Sequence, residues 1–384
     1  MTYAYRTSKV LTFPKEDMMR KCMLFLLCMA VLWTFSYSYA AEYIGSDACA
    51  TCHAGKYNDW VVSGHPNKLR KAEVAKYTGL PLPEGYTWDD ISYVIGGSHK
   101  KARFIDKKGY IITMTGPNKD QPGKNQYNIE TGTWSDYEPG AKKKYDCAKC
   151  HTTGYSGAGS QDGLEGIVGT WVFPGIHCEQ CHGAGKEHAV TADKTKINTN
   201  KSALLCGSCH IRGNREKIPA KGGFIQHHET FNELSVSEAG AGKMSMDCVT
   251  CHDPHKRVKF AIKKDCAECH SKEASAYKGK PMEAVGVKCV DCHMPKATKS
   301  ATSKGKYEAD VRSHLFKINL DPAAEMFYKT PKLDKEGKQV TDKDGKPVME
   351  EFARGFTTVE FACLNCHKNK DRNWALTKAK GFHK

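Results

Sequence analysis

The sequence predicts a loop-rich fold of short α-helices, with a small β-hairpin region near the N-terminus and a core that side chains alone do not fill. Two observations support this. Only 40% of the 384 residues are hydrophobic, 34 are glycine, and the mean hydropathy is −0.58, which is little material for an ordinary apolar core. The pattern Cys-x-x-Cys-His also occurs eight times, so this motif must itself organise the chain.

Each motif joins two cysteines to an adjacent histidine. A structural zinc site needs ligands in fours with a regular second pair, and the spacing between pairs here is irregular. A thioredoxin-like pair does not need the histidine. The remaining interpretation is c-type haem attachment, in which both thiols bond the porphyrin and the histidine ligates the iron. The predicted attachment residues are Cys49, Cys52, Cys147, Cys150, Cys178, Cys181, Cys206, Cys209, Cys248, Cys251, Cys266, Cys269, Cys289, Cys292, Cys363 and Cys366.

The sequence therefore predicts a multihaem cytochrome c with eight covalently attached haem c groups. Its predicted proximal iron ligands are His53, His151, His182, His210, His252, His270, His293 and His367.

Residues 1–40 read as a signal peptide. The basic "MMRK" precedes the apolar run "CMLFLLCMAVLWTF", and "SYSYA" offers small residues for cleavage before Ala41. At about 14 residues the run is too short to span a bilayer comfortably. The two cysteines outside the motifs, Cys22 and Cys28, fall in this segment. We expect an exported chain with no spare thiol, no disulfide candidate and no transmembrane segment.

Size and layout indicate how the chain surrounds its cofactors. Cleavage leaves 344 of the 384 residues, or 43 for each motif, so the haems must form the core. We predict a signal peptide at 1–40, a region with haem 1 and the hairpin at 41–140, a compact region with haems 2 to 7 at 141–300, and a region with a lysine-rich loop and haem 8 at 301–384.

Two segments between motifs carry local signals. "ISYVI", Gly96-Gly97 and "KARFIDKKGYIITM" predict a β-hairpin whose turn runs from Asp106 to Gly109. "KLDKEGKQVTDKDGKPVMEE" predicts a solvated surface loop with turns at Gly337 and Gly345.

The formal net charge of +15 would suit nucleic acid or an acidic partner. We interpret it instead as neutralisation of the haem propionates. Without residues 1–40 the chain has a charge of +12, and eight haems at about −1 oxidised or −2 reduced would bring it to roughly +4 or −4. No nucleic-acid partner is expected.

Nine histidines lie outside the motifs, against eight distal positions. A haem ligated on both faces can only pass electrons, whereas an open face could bind nitrite, hydroxylamine or oxygen. The tally favours saturation. His99 is the expected spare, because it follows Gly96-Gly97 at the entry to the hairpin, and His383 is expected to ligate a haem of its own chain or of the next molecule. The predicted distal ligands are His65, His177, His188, His227, His228, His255, His314 and His383.

The stretch "YIGSDACATCHAGKYNDWVVSGH" resembles the opening of the tetrahaem cytochromes that accept electrons from hydroxylamine oxidation, and of extracellular cytochrome filament subunits from metal-reducing bacteria. Similar features continue through "FPGIHCEQCHGAGKEH", "QHHETFNEL" and "CVTCHDPH" and cover roughly 43–255. The segments "CVDCHMPK" and "VRSHLFKI" are similar to multihaem reductases and quinol dehydrogenases.

This resemblance implies distal roles for His65, His188, His255 and His314, and for His228 or His227. Two departures limit it. Lys100 stands where relatives often have Trp, and His177 where they more often have Gln. The eight haems also exceed the tetrahaem pattern, so the partner of each haem is not transferable.

We expect an exported, periplasmic or extracellular octahaem cytochrome that carries electrons through bis-His haems in anaerobic respiration, and that is not an enzyme. Expected partners are redox partner cytochromes or a quinol-linked donor. Identical subunits in a filament (a nanowire) and a discrete periplasmic shuttle both stay open. The alternative is an octahaem oxidoreductase acting on nitrite, hydroxylamine or a sulfur oxyanion at one five-coordinate haem. No motif has Lys in place of its histidine, and the histidine surplus argues against an open iron.

Overall fold

A computed structural model describes residues 42–237 and 246–383. The predicted signal peptide, with Cys22 and Cys28, lies outside these ranges. Within them, every helix is too short or too polar to cross a lipid bilayer.

The first motif lies on helix α1 (Ser46–Val61). Gly45, at φ 82°, precedes the helix, and Asp47 lies in its first turn, where a carboxylate complements the helix dipole. The backbone leaves helical geometry at His53, with φ −118° and ψ 40°. The proximal histidine of the first motif therefore lies at a kink.

An antiparallel sheet follows α1. Its strands run in the order β1-β2-β3-β4-β9, and β7 joins β3 to β8, while β5 and β6 form a separate pair. The strands are β1 (Leu69–Lys71), β2 (Ile91–Gly96), β3 (Lys101–Asp106), β4 (Tyr110–Ile111), β5 (Met114–Thr115), β6 (Gln121–Pro122), β7 (Gln126–Asn128), β8 (Thr133–Ser135) and β9 (Lys143–Lys144).

The predicted hairpin is part of this sheet. Strands β3 and β4, on either side of the predicted turn, pair antiparallel, and the Gly109 N–H donates to the Asp106 carbonyl at 3.1 Å. Strand β2 pairs with β3 on its other side. The Asp106 carboxylate also accepts from the Lys108 and Tyr110 N–H groups, each at 2.9 Å. The sheet is larger than predicted, because its other strands are only two or three residues long and show too little alternation to be recognised in sequence.

Both faces of the sheet are covered. Phe104 and Val94 belong to one apolar cluster, and Ile105 and Tyr93 to another. Adjacent residues of a strand point to opposite faces, so each of β2 and β3 contributes to both clusters. This region therefore has an ordinary side-chain core.

The helices after α1 are short. Glycine or proline follows several of them closely, such as Gly183 at φ 79° after the third motif, and neither residue continues a helix well. They are α2 (Ala72–Ala75), α3 (Ala148–His151), α4 (Cys178–His182), α5 (Lys186–Thr191), α6 (Ala203–Gly207), α7 (Thr230–Val236), α8 (Cys248–Cys251), α9 (Ser271–Tyr277), α10 (Pro281–Ala284), α11 (Cys289–His293) and α12 (Arg372–Ala379), with a π-helix at Glu360–Leu364.

A second sheet, which the sequence did not predict, lies in the C-terminal half. Its order is β15-β14-β13-β12-β18-β17, and β13 pairs with β14 in parallel. Ile218, Ile225, Leu315 and Phe361 pack in its core. The remaining strands are β10 (Thr152–Thr153), β11 (Phe173–Pro174), β12 (Ile218–Lys221), β13 (Phe224–Gln226), β14 (Thr298–Gly305), β15 (Glu308–Val311), β16 (Ile318–Asn319), β17 (Phe327–Pro331), β18 (Met349–Ala353) and β19 (Thr357–Thr358).

The boundary expected between 300 and 301 stays a prediction, and it falls within β14.

The lysine-rich stretch contains two similar turns, eight residues apart. Gly337 and Gly345 have φ values of 79° and 75°, which an L-residue with a side chain rarely adopts. The Asp334 carboxylate accepts from the N–H groups of Glu336 and Lys338, and Asp342 caps the second turn in the same way. The predicted turns are present, and their side chains are largely exposed.

Candidate haem-binding site

Most Cys-x-x-Cys-His segments close on themselves as one helical turn. The histidine N–H donates to the carbonyl of the first cysteine at 2.9 Å in His210 and His270, and at 3.0 Å in His252 and His367. This turn brings the two thiols and the imidazole of a motif close together, as joint attachment to one porphyrin and its iron requires.

Thiols of different motifs lie side by side. The thiols of three pairs lie close enough for each to perturb the pKa of the other: Cys49 with Cys178, Cys150 with Cys209, and Cys206 with Cys248. The nearby Cys49 thiol lowers the pKa of Cys178. Longer-range electrostatic contacts join Cys181 to Cys206, Cys251 to Cys266, Cys266 to Cys289 and Cys292 to Cys363.

These contacts give a spatial order of motifs that differs from their order in sequence. The contacts run from motif 1 to motif 3, then to 4, 5, 6, 7 and 8, and motif 2 joins at motif 4. Motif 4, counted in chain order, therefore lies near motifs 2, 3 and 5.

Several imidazoles have their tautomer fixed by the chain. His182 and His293 donate from Nδ1 to the carbonyls of Asn198 and Phe316, at 2.6 and 2.9 Å. His188 donates to the Asp193 carbonyl at 2.9 Å. A proton held on Nδ1 leaves the Nε2 lone pair free for a metal, which is the usual second-shell arrangement of a ligating histidine.

Six proximal histidines face a second imidazole, and two of them, His151 and His210, share the same one. An iron bonded to two imidazoles at about 2 Å separates the ring centres by about 6 Å. The ring-centre distances are 6.2 Å for His53–His188, 6.5 Å for His151–His228, 6.2 Å for His182–His255, 6.1 Å for His252–His314 and 5.8 Å for His293–His383. The residues present therefore fit haem irons held between paired histidines.

His228 lies between two proximal histidines. Its ring centre is 6.5 Å from that of His151 and also 6.2 Å from that of His210, and one imidazole can serve only one of these irons. Its φ of 73° is a strained conformation for a residue with a side chain. His65 is electrostatically coupled to His210, and burial lowers its pKa to about 4. His65 is thus the second candidate for motif 4.

Motifs 6 and 8 differ from the others. In the part of the chain that the structure describes, which includes all 17 histidines, no second imidazole packs opposite His270 or His367. The ring of His367 instead lies 4.8 Å from that of Trp374, a separation too small for an iron between the two rings.

Two predicted distal ligands outside the pairs, His177 and His227, have other surroundings. The ring of His177 packs 5.2 Å from Trp60 and 4.9 Å from Phe173, and its Nδ1 is hydrogen-bonded to Ser46 Oγ at 3.0 Å. His227 Nε2 accepts from Arg212 at 3.2 Å. The hydrogen bond of His227 therefore engages the nitrogen that would bind iron, and the ring of His177 packs against two aromatic side chains.

His99 is held against the backbone. Its Nδ1 donates to the Ser98 carbonyl at 2.6 Å, and its Nε2 is buried without a hydrogen-bond partner. A Cβ placed on Gly64 would lie 3.5 Å from this ring, so the ring packs on the chain next to His65. Its exclusion from the ligand set stays a prediction.

Four cations surround the second motif, and sequence reasoning missed them. Lys68, Lys101, Arg103 and Arg212 all contribute, after burial, to lowering the pKa of His151 to about 3. Burial also lowers the pKa of Lys101 to about 7. These cations come from distant parts of the chain, so no local motif announces the cluster.

Two buried carboxyls on or beside α7 were also missed. Burial raises the pKa of Glu229 to about 8 and that of Glu233 to about 7. Glu229 accepts from the Arg212 N–H at 3.1 Å, and Glu233 accepts from the His314 N–H. Glu233 therefore helps to orient the segment that carries His314.

A third missed residue lies inside the third motif. The buried carboxylate of Glu179 accepts from the N–H groups of Ile44, Gly45 and Gly185, at 2.9, 2.8 and 2.8 Å. It ties the chain just before α1 to α4. The first and third motifs are thereby held together.

Two protein families match parts of the chain. Residues 259–383 match a family described as outer membrane cytochrome MtrC/MtrF-like, domains II/IV. Residues 118–183 match the family of cytochrome c554 and c-prime. Each match covers less than half of the chain.

Two curated proteins are similar. The dissimilatory sulfite reductase MccA of Wolinella succinogenes is 22% identical over 90% of this chain and 64% of its own length. The multiheme cytochrome MtrA of Shewanella baltica is 23% identical over 39% of this chain and 45% of its own length. The chain thus spans under two thirds of either relative.

Solved structures share the fold. The octaheme sulfite reductase MccA of Wolinella succinogenes aligns with a TM-score of 0.57 and 18% identity, over 84% of this chain and 65% of the other. The outer cell wall cytochrome OcwA aligns with a TM-score of 0.55 and 19% identity, over 88% and 86% of the two chains.

These similarities correct one expectation. We expected a carrier that is not an enzyme, yet a sulfite reductase is similar both in sequence and in fold. The histidine surplus misled us, because a tally of side chains does not show which of them face an iron. The family prediction, by contrast, is confirmed by the matched families and by the relatives of both kinds. The chain is a multihaem c-type cytochrome with covalently bound haem c.

Proposed function

We propose that the chain transfers electrons through eight covalently attached haem c groups along the spatial order of its motifs. The observation that carries this proposal is the set of five imidazole pairs with ring centres 5.8 to 6.5 Å apart. Haem c, when bound, supplies the one-electron chemistry, and the protein adjusts its potential.

The chain's own residues keep the imidazoles neutral and oriented. Burial lowers the pKa of His210 to about 4 and that of His314 to about 3, so both rings are neutral at physiological pH and have a lone pair to donate. At His182, His188 and His293, carbonyl acceptors at Nδ1 hold the ring in one tautomer. A ring that is already neutral and oriented can bind iron without first losing a proton or rotating.

The finer parts of the proposal are supported by resemblance. The protein acts outside the cytoplasm, in the periplasm or at the cell surface, and exchanges electrons with partner cytochromes or a quinol-linked donor. Assembly of identical subunits into an extracellular filament would extend the same path between molecules.

Electron paramagnetic resonance of the oxidised holoprotein tests this proposal. Most haems should be low-spin, and His255→Ala should convert one of them to high-spin because it removes one imidazole of a pair. His99→Ala is the matched control and should leave the spectrum unchanged. A wild-type spectrum that is mainly high-spin would contradict the paired-histidine proposal.

A second candidate function is oxyanion reduction beside the second motif. Lys101, Arg103 and Arg212 lie around His151 and His228, and clustered cations stabilise bound anions and developing negative charge. If His228 serves motif 4, the iron of motif 2 keeps an open face beside these cations. The similarity to a sulfite reductase favours this candidate.

Sulfite and nitrite titrations distinguish the two candidates. For the oxyanion reductase, either anion should shift the visible spectrum of one haem, and Lys101→Met should weaken its binding by roughly tenfold or more because a buried charge is lost. Lys335→Met, an exposed position in the lysine-rich stretch, is the control. An unchanged spectrum at millimolar anion would count against the reductase.

A further inference from the structure

The segment after the fifth motif forms an exposed basic surface. Val258, Phe260 and Ile262 are 69%, 64% and 56% exposed, although apolar side chains of this size are usually covered. Five cations are interleaved with them. We call these eight residues the basic face: Lys256, Arg257, Val258, Lys259, Phe260, Ile262, Lys263 and Lys264.

The cations of this face are not neutralised by the protein. None of the five forms an ion pair within the described residues, and no Asp or Glu occurs between 254 and 264. An apolar centre with a charged rim is typical of a protein interaction site. The sign of this rim selects an acidic partner.

The basic face adjoins the motif with the least protein cover. Both cysteines of motif 6, Cys266 and Cys269, are exposed, whereas every other motif has at least one cysteine that is partly covered. All residues from 262 to 273 are exposed. Motif 6 also lies between motifs 5 and 7 in the spatial order, through the contacts of Cys266 with Cys251 and Cys289.

We propose that the basic face docks an acidic redox protein and that motif 6 is the point where electrons enter or leave the chain. This proposal rests on the electron-transfer function proposed above. An electron that enters at motif 6 could pass to motif 5 or to motif 7, because Cys266 interacts electrostatically with Cys251 and with Cys289.

Charge reversal on the face tests the docking. The variant Lys263→Glu/Lys264→Glu should lower the second-order rate of reduction of the holoprotein by an acidic flavodoxin by roughly tenfold at low ionic strength, because electrostatic steering is lost. The difference should shrink at high salt, where the charges are screened. Stopped-flow absorbance of the haem bands measures both effects.

Lys335→Glu/Lys338→Glu is the matched control, since it makes the same charge change at exposed positions of the lysine-rich stretch. Its rate should stay within about twofold of the wild type. Equal slowing of both variants, or of neither, would overturn the proposal.

Phe260→Ala separates docking from packing within the chain. It should slow the flavodoxin reaction and leave the haem spectrum and haem count unchanged. A shifted Soret band would mean that the ring covers the protein's own cofactor, and would overturn its role in docking. Binding to phosphatidylglycerol vesicles that the charge reversal abolishes, with an unchanged flavodoxin rate, would assign the face to lipid instead.

Reduction by dithionite keeps the two proposals apart. This small reductant needs no docking surface, so it should reduce all haems of the wild type and of both charge variants alike. Incomplete reduction of the wild type would count against the electron-transfer function, whereas a defect confined to the flavodoxin reaction concerns the basic face.

Discussion

The N-terminal sheet region, residues 69–145, and the motif belt, residues 246–293, are stabilised in different ways. In the sheet region, side chains such as Tyr93, Phe104 and Ile105 are fully or almost fully buried. In the motif belt, Ala261 is the one buried residue, and its helices are seven residues or shorter. The first region folds around apolar side chains, and the second has no comparable core.

The difference shows that one chain can contain two kinds of folding unit. Burial of apolar surface stabilises the sheet region at about 25 cal/mol per Å². The motif belt lacks such surface and cannot offset the entropy of ordering its backbone. Covalently bound haem must therefore supply the buried apolar surface that the side chains of the belt do not provide.

Production of the chain without haem attachment should show the largest effect. We expect the sheet region to keep amide protection, and the belt at 246–293 to exchange at nearly the rate of an unfolded peptide, because its buried surface comes from the cofactor. Hydrogen exchange with mass spectrometry measures both regions in one sample. Strong protection of the belt without haem would abolish the contrast.

Phe104→Ala should have the next largest effect. It removes a fully buried ring from the sheet core and should lower the free energy of unfolding of that region by about 3–5 kcal/mol, with the haem count unchanged. Val285→Ala, at a residue 76% exposed, is the control and should change it by about 0.5 kcal/mol or less. Denaturant unfolding followed by circular dichroism measures both, and equal effects would refute a separate apolar core.

Glu179→Gln should have a smaller effect, at the link between the first and third motifs. Glutamine keeps the volume but has one oxygen for the three N–H donors that Glu179 serves. Unsatisfied buried N–H groups cost about 1–3 kcal/mol, so the chain around Ile44 should become more sensitive to limited proteolysis. The exposed Glu165→Gln is the control, and matching cleavage patterns would show that Glu179 does not hold this link.

The sequence was sufficient to predict the features that depend on a few consecutive residues. Cys-x-x-Cys-His is read from five residues, and the turn from Asp106 to Gly109 from four. The second sheet was missed because it joins Ile218–Lys221 with Met349–Ala353, and pairing across such a distance leaves no periodic signal. Its short strands are also difficult to distinguish from loop segments in the sequence.

The candidate site shows the same limit. Histidines could be counted but not assigned, since the ring contacts of His177 with Trp60 and Phe173 depend on tertiary packing. The cation cluster at Lys101, Arg103 and Arg212 was invisible for the same reason. A count of potential ligands gives an upper bound on the number of ligated faces and not their distribution, which is how the expectation of a pure carrier went wrong.

The side-by-side thiols of different motifs have a consequence for maturation of the protein. In an oxidising compartment, two thiols that lie close together can oxidise to a disulfide when their geometry permits it. Cys49 with Cys178, or Cys150 with Cys209, would then bridge two motifs and block both from receiving a cofactor. Haem attachment before the motifs fold against one another would prevent these bridges. The order of the two events therefore decides whether a new chain becomes a cytochrome or a misbridged product.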